Sequence, residues 1–278
     1  MLRLQLYLKA KAAMKKAQPV SSGFSVGAAA HVIRSGKNKV DKRIISGWNA
    51  NGLHAEQCLI GHLEPDEKIS HMIVVGSADN GKVHLAPPCG SCRDILLLGA
   101  KDGEILIRVS PEKAEWLPIK SLLPDGKPRS LDSKADHELF NKALEIMEKL
   151  PSHYYRGYTN EPQVAAILTS ADKIVSARID HPSFVHCDPI EAALSTAFLR
   201  GREYIKKVLL VTASAPEKEH IKFNPAGKSL QALCEESLFS KRNFEVIWIW
   251  VNQKTWYIRE ANAAKIRDLL PYPHSQKH

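Results

Sequence analysis

Three residues with nitrogen or sulfur side chains stand at a spacing that suits a metal ion. His54 opens the string His-Ala-Glu, and Pro88 opens the string Pro-Cys-Gly-Ser-Cys, which supplies Cys89 and Cys92. Zinc prefers nitrogen and sulfur ligands in a tetrahedral arrangement, and two thiolates with one neutral imidazole balance its charge. Because three protein ligands leave the fourth position for water, this donor set predicts a catalytic Zn2+ site.

The residues beside these ligands have side chains that would support hydrolysis at a metal. Glu56 stands two positions after His54 and is not needed as a ligand, so we expect its carboxylate to take a proton from water and return it to the substrate. Arg93 follows Cys92 directly, and we expect its guanidinium to donate hydrogen bonds to the sulfurs. Cys89 and Cys92 are three positions apart, so they share one helix face, and a helix N-terminus favours thiolate over thiol.

Other uses of a single Cys-x-x-Cys string fit this sequence less well. A zinc ribbon needs a second such pair, and the sequence contains none. A thioredoxin-like redox pair would leave the His-Ala-Glu string at 54–56 unexplained. A His-Ala-Glu string followed downstream by Pro-Cys-x-x-Cys is the signature of the zinc deaminases, so the combination indicates that class.

Alternating helices and strands surround these motifs. Apolar periodicity, turn signals and helix-stop residues assign each element. In the first half of the chain the predicted order is helix 4–17, strands 24–33 and 44–48, helix 54–63, strand 72–76, helix 89–98 and strand 105–109. This order predicts an α/β fold, a three-layer α/β/α sandwich with the sheet between two layers of helices.

The second half of the chain repeats this order. The predicted elements there are helix 137–150, strand 164–169, helix 189–200, strand 208–212, helix 226–238 and strand 246–251. Four strings also find counterparts in the same order: 26–29 with 164–167, 54–56 with 189–191, 88–92 with 225–229, and 122–124 with 269–271. Repeated strings at similar spacing predict an internal duplication, with one domain at 1–130 and a second at 131–278.

Only the first copy carries the metal ligands. In this alignment Pro189, Ala226 and Ser229 take the places of the three ligands, and none of them can bind zinc in that role. Glu191 keeps a carboxylate that has no metal beside it. We therefore expect a zinc-binding catalytic domain followed by a degenerate copy without zinc ligands.

Charge and cysteine content limit the cellular setting. The chain has 278 residues and a net charge of +9, and residues 1–50 hold ten Lys/Arg against one acid. The simplest explanation for this basic segment is a first helix with a solvated basic face. One alternative is a transit peptide, and another is an anionic partner such as a nucleic acid or a membrane surface. Five cysteines, an odd number, without a secretory signal predict a reducing, cytoplasmic setting. No apolar run approaches the ~18 residues of a membrane span.

The first domain resembles the cytidine deaminase family. The string Pro-Cys-Gly-Ser-Cys-Arg at 88–93 and the strand Phe-Ser-Val-Gly-Ala-Ala at 24–29 are similar to its free-nucleoside branch, which includes the blasticidin deaminases. The string His-Ala-Glu-Gln at 54–57, with histidine as the ligand, resembles the two-domain homodimeric members. In those members the second domain copies the fold and has lost the zinc, which is the layout expected here.

The resemblance implies hydrolytic deamination of cytidine or deoxycytidine to uridine or deoxyuridine, with release of ammonia, as in pyrimidine salvage. Hydroxide would attack C4 of the base, and Glu56 would carry protons to N3 and to the departing amine. Phe24 would pack against the base, although a core position on an apolar strand is the alternative for it. The resemblance also implies that Asn49 binds the sugar, with Asn51 and Ala55 in the substrate site. The resemblance further implies a homodimer that acts on a small nucleoside, and it disfavours nucleic acid as a partner.

One departure from the family bears on the substrate. Relatives carry Asn-x-Glu on a longer loop and hold the ribose hydroxyls with the Glu, whereas this chain has Asn49-Ala50-Asn51. Sugar recognition is expected to be weaker or altered, so a modified cytosine nucleoside is an alternative substrate. Two alternatives from other classes are a deaminase of single-stranded polynucleotide, for which the basic first 50 residues are the evidence, and a non-catalytic homologue that retains zinc.

Overall fold

The structure is a computed structural model of the chain. It describes residues 1–19, 23–35, 40–50, 52–78, 81–110, 112–124, 127–149, 163–178, 188–199, 203–214, 225–252 and 254–271. The chain forms two compact units: a first unit of Met1–Pro124 together with Leu270 and Pro271, and a second unit of Asp125–Leu269. None of the helices in the described ranges is long and apolar enough to cross a membrane.

The first unit consists of one mixed sheet and the helices on its faces. Its elements are α1 (Leu2–Met14), β1 (Ser25–Ser35), β2 (Val40–Trp48), α2 (Ala55–Ile60), β3 (Glu67–Ser77), β4 (His84–Leu85), α3 (Gly90–Ala100), β5 (Glu104–Arg108), β6 (Ala114–Pro118) and a 3-10 helix (Ile119–Leu122). The strand order is β2-β1-β3-β5-β6, with β4 paired to β3. The β3–β5 pair is parallel and the other pairs are antiparallel.

The sheet of the first unit separates two apolar layers. Successive residues of a strand point to opposite faces, so each strand contributes to both layers. One layer joins α1 to the sheet through residues that include Leu6, Ala10, Met14, Ala29 and Ile73. The other joins α2 and α3 to the sheet through residues that include Ala28, Val74, Leu59 and Leu96. This is the three-layer arrangement that the sequence predicts.

The second unit repeats the architecture of the first. Its elements are β7 (Lys127–Pro128), α4 (Lys134–Glu148), β8 (Gln163–Thr169), β9 (Ile174–Arg178), α5 (Pro189–Leu199), β10 (Ile205–Ser214), α6 (Gly227–Phe239), β11 (Glu245–Asn252), β12 (Ile258–Lys265) and α7 (Ile266–Leu269). The strand order is β9-β8-β10-β11-β12-β7. The β10–β11 pair is parallel and the others are antiparallel. Five strands thus match the first sheet in order and direction, and the predicted duplication of the fold is confirmed.

The two copies align one residue away from the match between the sequence strings. Ala29 of β1 packs towards α1 and pairs with Ile73, and Ala166 of β8 packs towards α4 and pairs with Leu209. A shift of one residue moves a strand side chain to the opposite face. The counterpart of Ala166 is therefore Ala29, and the string alignment, which pairs it with Ala28, is wrong by one position.

Helices α1 to α6 and the buried strands lie where the sequence predicts them, within a few residues at their ends, whereas the 3-10 helix and α7 were not predicted. Five strands were not predicted from the sequence: β4 and β7, of two residues each, and β6, β9 and β12, each of which pairs at or next to the outer edge of its sheet. Their residues mix polar and apolar side chains, and most are only partly buried. A weak apolar pattern of this kind does not distinguish a strand from a loop.

A buried acid joins a helix to two strands of the second unit. Asp136, in the first turn of α4, is fully buried and accepts hydrogen bonds from Lys207 and, at 3.1 Å, from Arg129. Glu245 of β11 forms ion pairs with both of these cations. Burial opposes ionisation of Asp136, but hydrogen bonds from Lys207 and Ser133 outweigh it and hold the pKa of the carboxyl at about 2.

Candidate metal centre

Three predicted ligands meet where two helices of the first unit begin. His54 directly precedes α2, Cys89 directly precedes α3, and Cys92 lies in the first turn of α3. The Nδ1 atom of His54 lies 3.3 Å from the Sγ atom of Cys89 and 3.3 Å from that of Cys92. The three ligand atoms all lie within 4.8 Å of one another. In the part of the chain that the structure describes, no other group of three such side chains is placed to hold a metal ion.

The chemistry and geometry of this donor set fit zinc. With Zn–S bonds of about 2.3 Å and Zn–N bonds of about 2.0 Å, a tetrahedral ion holds nitrogen and sulfur about 3.5 Å apart. The observed Nδ1–Sγ distances of 3.3 Å are close to that separation. One imidazole and two thiols also form a ligand set that zinc uses in catalytic sites.

The start of α2 is held against the sheet by a close backbone contact. A Cβ atom on Gly47 of β2 would lie 2.4 Å from the carbonyl oxygen of Ala55 and 2.6 Å from the amide nitrogen of Leu59. A glycine inside a strand often marks such a close approach, so Gly47 carries a sequence signal for this contact that the predicted site residues do not include. The Gln57 side chain further fixes the helix start, because its Oε1 accepts a hydrogen bond of 2.8 Å from the backbone N–H of His54.

The site favours a thiolate beside the imidazole. A hydrogen bond from the Cys92 thiol, together with one involving His54, lowers the pKa of the Cys89 thiol to about 4 despite its burial. The same hydrogen bond and burial raise the pKa of the Cys92 thiol. The hydrogen bond to Cys89 raises the pKa of the His54 imidazole. Negative charge on sulfur is the form in which cysteine binds a metal.

Glu56 lies against the ligand group without belonging to it. The residue is 4% exposed. Its carboxylate is hydrogen-bonded by the Cys92 thiol, which places it next to a metal ligand. Burial and the nearby charge of Cys89 raise the pKa of the carboxyl to about 6. A carboxyl group in this position can exchange protons with a molecule bound beside the ligands.

Arg93 is fully buried in α3, directly after Cys92. Its Nε donates a hydrogen bond of 2.9 Å to the carbonyl of Pro88, and its Nη1 donates to the carbonyls of Leu122 at 2.9 Å and Pro271 at 2.7 Å. These three bonds go to backbone oxygens, an arrangement that the sequence did not predict. Donation from Arg93 to the sulfurs stays a prediction.

Asn49 joins the end of β2 to the start of β1. Its Oδ1 accepts a hydrogen bond of 2.7 Å from the backbone N–H of Val26, and its Nδ2 donates one of 2.9 Å to the carbonyl of Phe24. The Phe24 ring is half-buried over Gly76, where a Cβ atom would lie 2.5 Å from the ring, and its centroid is 5.7 Å from that of His84. Contacts of Asn49 with a sugar and of Phe24 with a base stay predictions.

Of the two remaining predicted substrate residues, only Ala55 lies within the described part of the chain. Ala55 is fully buried at the first position of α2, between the ligand His54 and the acid Glu56. Asn51 lies outside the described residues. The roles assigned to both by resemblance stay predictions.

The matching helix starts of the second unit lack the metal ligands. Ala226 precedes α6 as Cys89 precedes α3, so Ala226 and Ser229 stand in the places of the two cysteines. The carbonyl of Asp188 accepts the first helical hydrogen bond of α5, from Ala192, as that of His54 does from Cys58 in α2. By this criterion Asp188, and not Pro189, is the counterpart of His54.

The same one-residue shift makes Ile190 the counterpart of Glu56. Asp188 accepts a hydrogen bond of 2.8 Å from the backbone N–H of Ile190. Burial raises the pKa of Asp188, against the effect of the neighbouring Ser229 hydroxyl and of backbone N–H groups. Glu191 instead forms an ion pair of 3.1 Å with Lys228. Asp188 and Glu191 thus have partners within the protein itself.

Comparison with known proteins gives matches among solved structures. No protein-family model and no curated protein matches this chain. The crystal structure of a cytidine deaminase from Mycobacterium tuberculosis matches with 27% identity over 45% of this chain and 96% of that chain, with a TM-score of 0.34. A cytidine deaminase from Burkholderia pseudomallei matches with 22% identity over 49% of this chain and 97% of that chain, with a TM-score of 0.38. A cytidine deaminase from Mycobacterium leprae matches with 26% identity over 45% of this chain and 98% of that chain, with a TM-score of 0.34. The chain is structurally similar to cytidine deaminases over about half its length, and it carries a His-Cys-Cys group able to hold a metal ion.

Proposed function

We propose that this protein is a zinc-dependent hydrolase that deaminates cytidine or deoxycytidine to uridine or deoxyuridine and releases ammonia. One observation carries the proposal: His54, Cys89 and Cys92 bring one nitrogen and two sulfur atoms within 4.8 Å of one another, and the buried carboxylate of Glu56 lies against them. Metal-assisted hydrolysis requires a zinc ligand set and an acid beside it that can transfer protons.

His54, Cys89 and Cys92 would hold the metal. When bound, zinc supplies Lewis acidity that makes a water molecule acidic enough to ionise near neutral pH. Glu56 accepts a proton from the attacking water and donates it to N3 of the cytosine ring. It then passes a second proton to the departing amine, so water and the nucleoside become the uracil nucleoside and ammonia. Because Glu56 is almost fully buried, bulk solvent does not compete for these protons.

The substrate class follows the motif resemblance to the cytidine deaminase family. Phe24 would contact the base and Asn49 the sugar, with Asn51 and Ala55 beside them. Asn49 already holds the backbone of Phe24 and Val26, so one side chain would position the base contact and also meet the sugar. Asn51 is neutral and short, which favours altered sugar selectivity.

The proposal extends to the domain roles and the assembly. Residues 1–130 would form the catalytic domain and residues 131–278 the copy without zinc, except that Leu270 and Pro271 belong to the first unit. The protein would be a cytoplasmic homodimer that serves pyrimidine salvage. The absence of a ligand set at Asp188, Ala226 and Ser229 supports the inactive role of the second copy. Light scattering of the purified protein measures the oligomeric state directly.

Turnover by the zinc-loaded protein tests the proposed reaction. Cytidine, deoxycytidine and a cytosine-containing single-stranded oligonucleotide are each incubated with the protein, and the absorbance loss of conversion to uracil is followed. Glu56→Gln keeps the shape of the side chain and removes its basicity, so kcat should fall by roughly 10²–10⁴-fold with the zinc content unchanged. Glu191→Gln is the control, because it makes the same substitution at a glutamate of the second unit outside the ligand group, and it should retain full activity.

Each outcome decides between the proposed reaction and its alternatives. Turnover of a nucleoside that is lost in Glu56→Gln and kept in Glu191→Gln supports the proposal. Turnover of the oligonucleotide alone would move the assignment to a polynucleotide deaminase. Zinc bound with no turnover of any of the three substrates would contradict the proposed reaction.

A further inference from the structure

The guanidinium of Arg93 links the ligand turn of the first unit to two distant segments. Its Nε donates to the carbonyl of Pro88, which directly precedes the ligand Cys89, while the other ligand, Cys92, directly precedes Arg93 itself. Its Nη1 donates to the carbonyls of Leu122 and Pro271. Arg93 therefore stands at one end of the turn that carries both sulfurs, and its side chain binds the backbone at the other end.

Burial of this cation needs a reason beyond packing. Arg93 is 0% exposed, and a buried guanidinium is costly unless its donors are satisfied. In the second unit Leu230 occupies the same place: its N–H donates 3.0 Å to the carbonyl of Ala226, as that of Arg93 donates 3.0 Å to the carbonyl of Cys89. Leu230 is 2% exposed, so an apolar side chain fills this position well. The arginine occurs in the copy that carries the sulfur ligands, and the leucine in the copy that lacks them.

The segment that Arg93 reaches comes from far along the sequence. The first unit ends its continuous part at Pro124, and the chain returns to it at Leu270. Leu270 is fully buried there, which anchors the carbonyl of Pro271 for the bond of 2.7 Å to Arg93. The two bonding residues are 178 positions apart.

We propose that Leu270 and Pro271 form part of the metal site, and that Arg93 is a positioning residue that transmits their placement to Cys89 and Cys92. This inference rests on the proposed zinc site. Partners that orient metal ligands typically contribute roughly 10- to 100-fold to metal affinity. The expectation follows that zinc binding depends on the segment at Leu270, although that segment supplies no ligand.

The test measures the zinc affinity of full-length variants by competition with a chromophoric chelator. Arg93→Leu installs the residue of the second unit, Arg93→Lys keeps the charge with a single nitrogen, and Leu270→Ala loosens the returning segment. We expect Arg93→Leu and Leu270→Ala each to weaken zinc binding at least roughly tenfold, and Arg93→Lys to fall in between. The double variant should bind no more weakly than Arg93→Leu alone, because both changes break the same link.

Matched controls and a spectroscopic readout separate positioning from general destabilisation. Arg108→Leu removes an exposed arginine of β5, and Asp268→Ser changes an exposed residue two positions before Leu270; both should bind zinc as the unchanged protein does. The sulfur-to-metal charge-transfer band of the Co2+-loaded protein should shift in Arg93→Leu and Leu270→Ala and stay unchanged in both controls. Circular dichroism confirms that each variant is folded.

The outcomes distinguish this inference from the proposed function. Wild-type zinc affinity in Leu270→Ala, or losses that multiply in the double variant, would overturn the inference while leaving the zinc site intact. If Arg93→Leu does not fold, Arg93→Lys and Leu270→Ala still decide the question. Absence of zinc binding by the unchanged protein would overturn both the inference and the proposed function.

Discussion

The carbonyl oxygen of Ala55 lies only 2.4 Å from the place where Gly47 would carry a Cβ atom. A helix start and a strand therefore meet backbone to backbone, one residue away from His54, a candidate metal ligand. This contact sets the depth of α2 against the sheet, and with it the position of an imidazole that lies 3.3 Å from two sulfurs at the start of α3.

Gly47→Ala should weaken both the fold and the site. The added methyl group must displace the backbone of α2, which costs roughly 1–3 kcal/mol of unfolding free energy. The shift also moves His54, so zinc affinity should fall. Gly61→Ala at the end of the same helix is the matched control, because a Cβ atom there meets nothing closer than 3.5 Å. Urea unfolding and zinc titration of both variants check this, and equal behaviour of the two would contradict the packing argument.

Removal of one sulfur ligand should abolish zinc binding. Cys92→Ser replaces a buried thiol by a hydroxyl that binds zinc poorly, so the zinc content should fall from about one per chain to near zero. A chelator should then lower the melting temperature of the unchanged protein and leave that of Cys92→Ser unaltered, because zinc stabilises only a chain that binds it. Cys58→Ser, a half-buried cysteine of α2 outside the ligand group, is the control. Full zinc content in Cys92→Ser, measured by atomic absorption, would exclude this ligand set.

Asn49→Ala should loosen the start of β1. The change removes the hydrogen bonds to the backbone of Val26 and Phe24, with an expected loss of roughly 1–3 kcal/mol of unfolding free energy. If the Phe24 ring contacts the substrate, KM should rise more than kcat falls. Asn49→Asp keeps the acceptor for Val26 and loses the donor to Phe24, so it should be intermediate. An unchanged KM in Asn49→Ala would remove Asn49 and its hold on Phe24 from the substrate site.

The buried ion network of the second unit should make its stability depend on acid. The pKa of Asp136 is depressed to about 2 from an ordinary value of 3.8. The unfolded state therefore binds the proton more readily, so the stabilisation is complete above about pH 5 and is lost as the pH falls from there towards 2. Asp136→Asn should lower the unfolding free energy at pH 7 by roughly 3 kcal/mol and flatten its dependence on pH below 5.

Urea unfolding at pH 7, 4 and 2.5 measures this effect of Asp136. Asp132→Asn is the control, because Asp132 is exposed and lies just before the same helix. A pH profile of Asp136→Asn that follows that of the unchanged protein would show that Lys207 and Arg129 do not hold the ionised carboxylate.

Much of the candidate site could be predicted because it depends on local sequence. Two short strings, each at the start of a helix, contain His54, Glu56, Cys89 and Cys92. Their side-chain types and spacing alone therefore predict a metal site with an acid beside it. The helices and the buried strands could be predicted for the same reason, since their apolar periodicity is a property of consecutive residues. The duplication could be predicted because the two halves repeat the same order of helices and strands along the sequence.

The positions that the sequence could not decide depend on contacts between distant segments. The register of the duplicate needed strand pairing: Ala166 matches Ala29 rather than Ala28, and Asp188 rather than Pro189 takes the place of His54. Arg93 likewise donates to three carbonyls from three parts of the chain, one of them 178 positions away. Residue types and spacing therefore determined the chemistry that we propose for this protein. The tertiary structure decided what holds that chemistry in place, because a hydrogen bond or a close backbone contact exists only when folding brings both partners together.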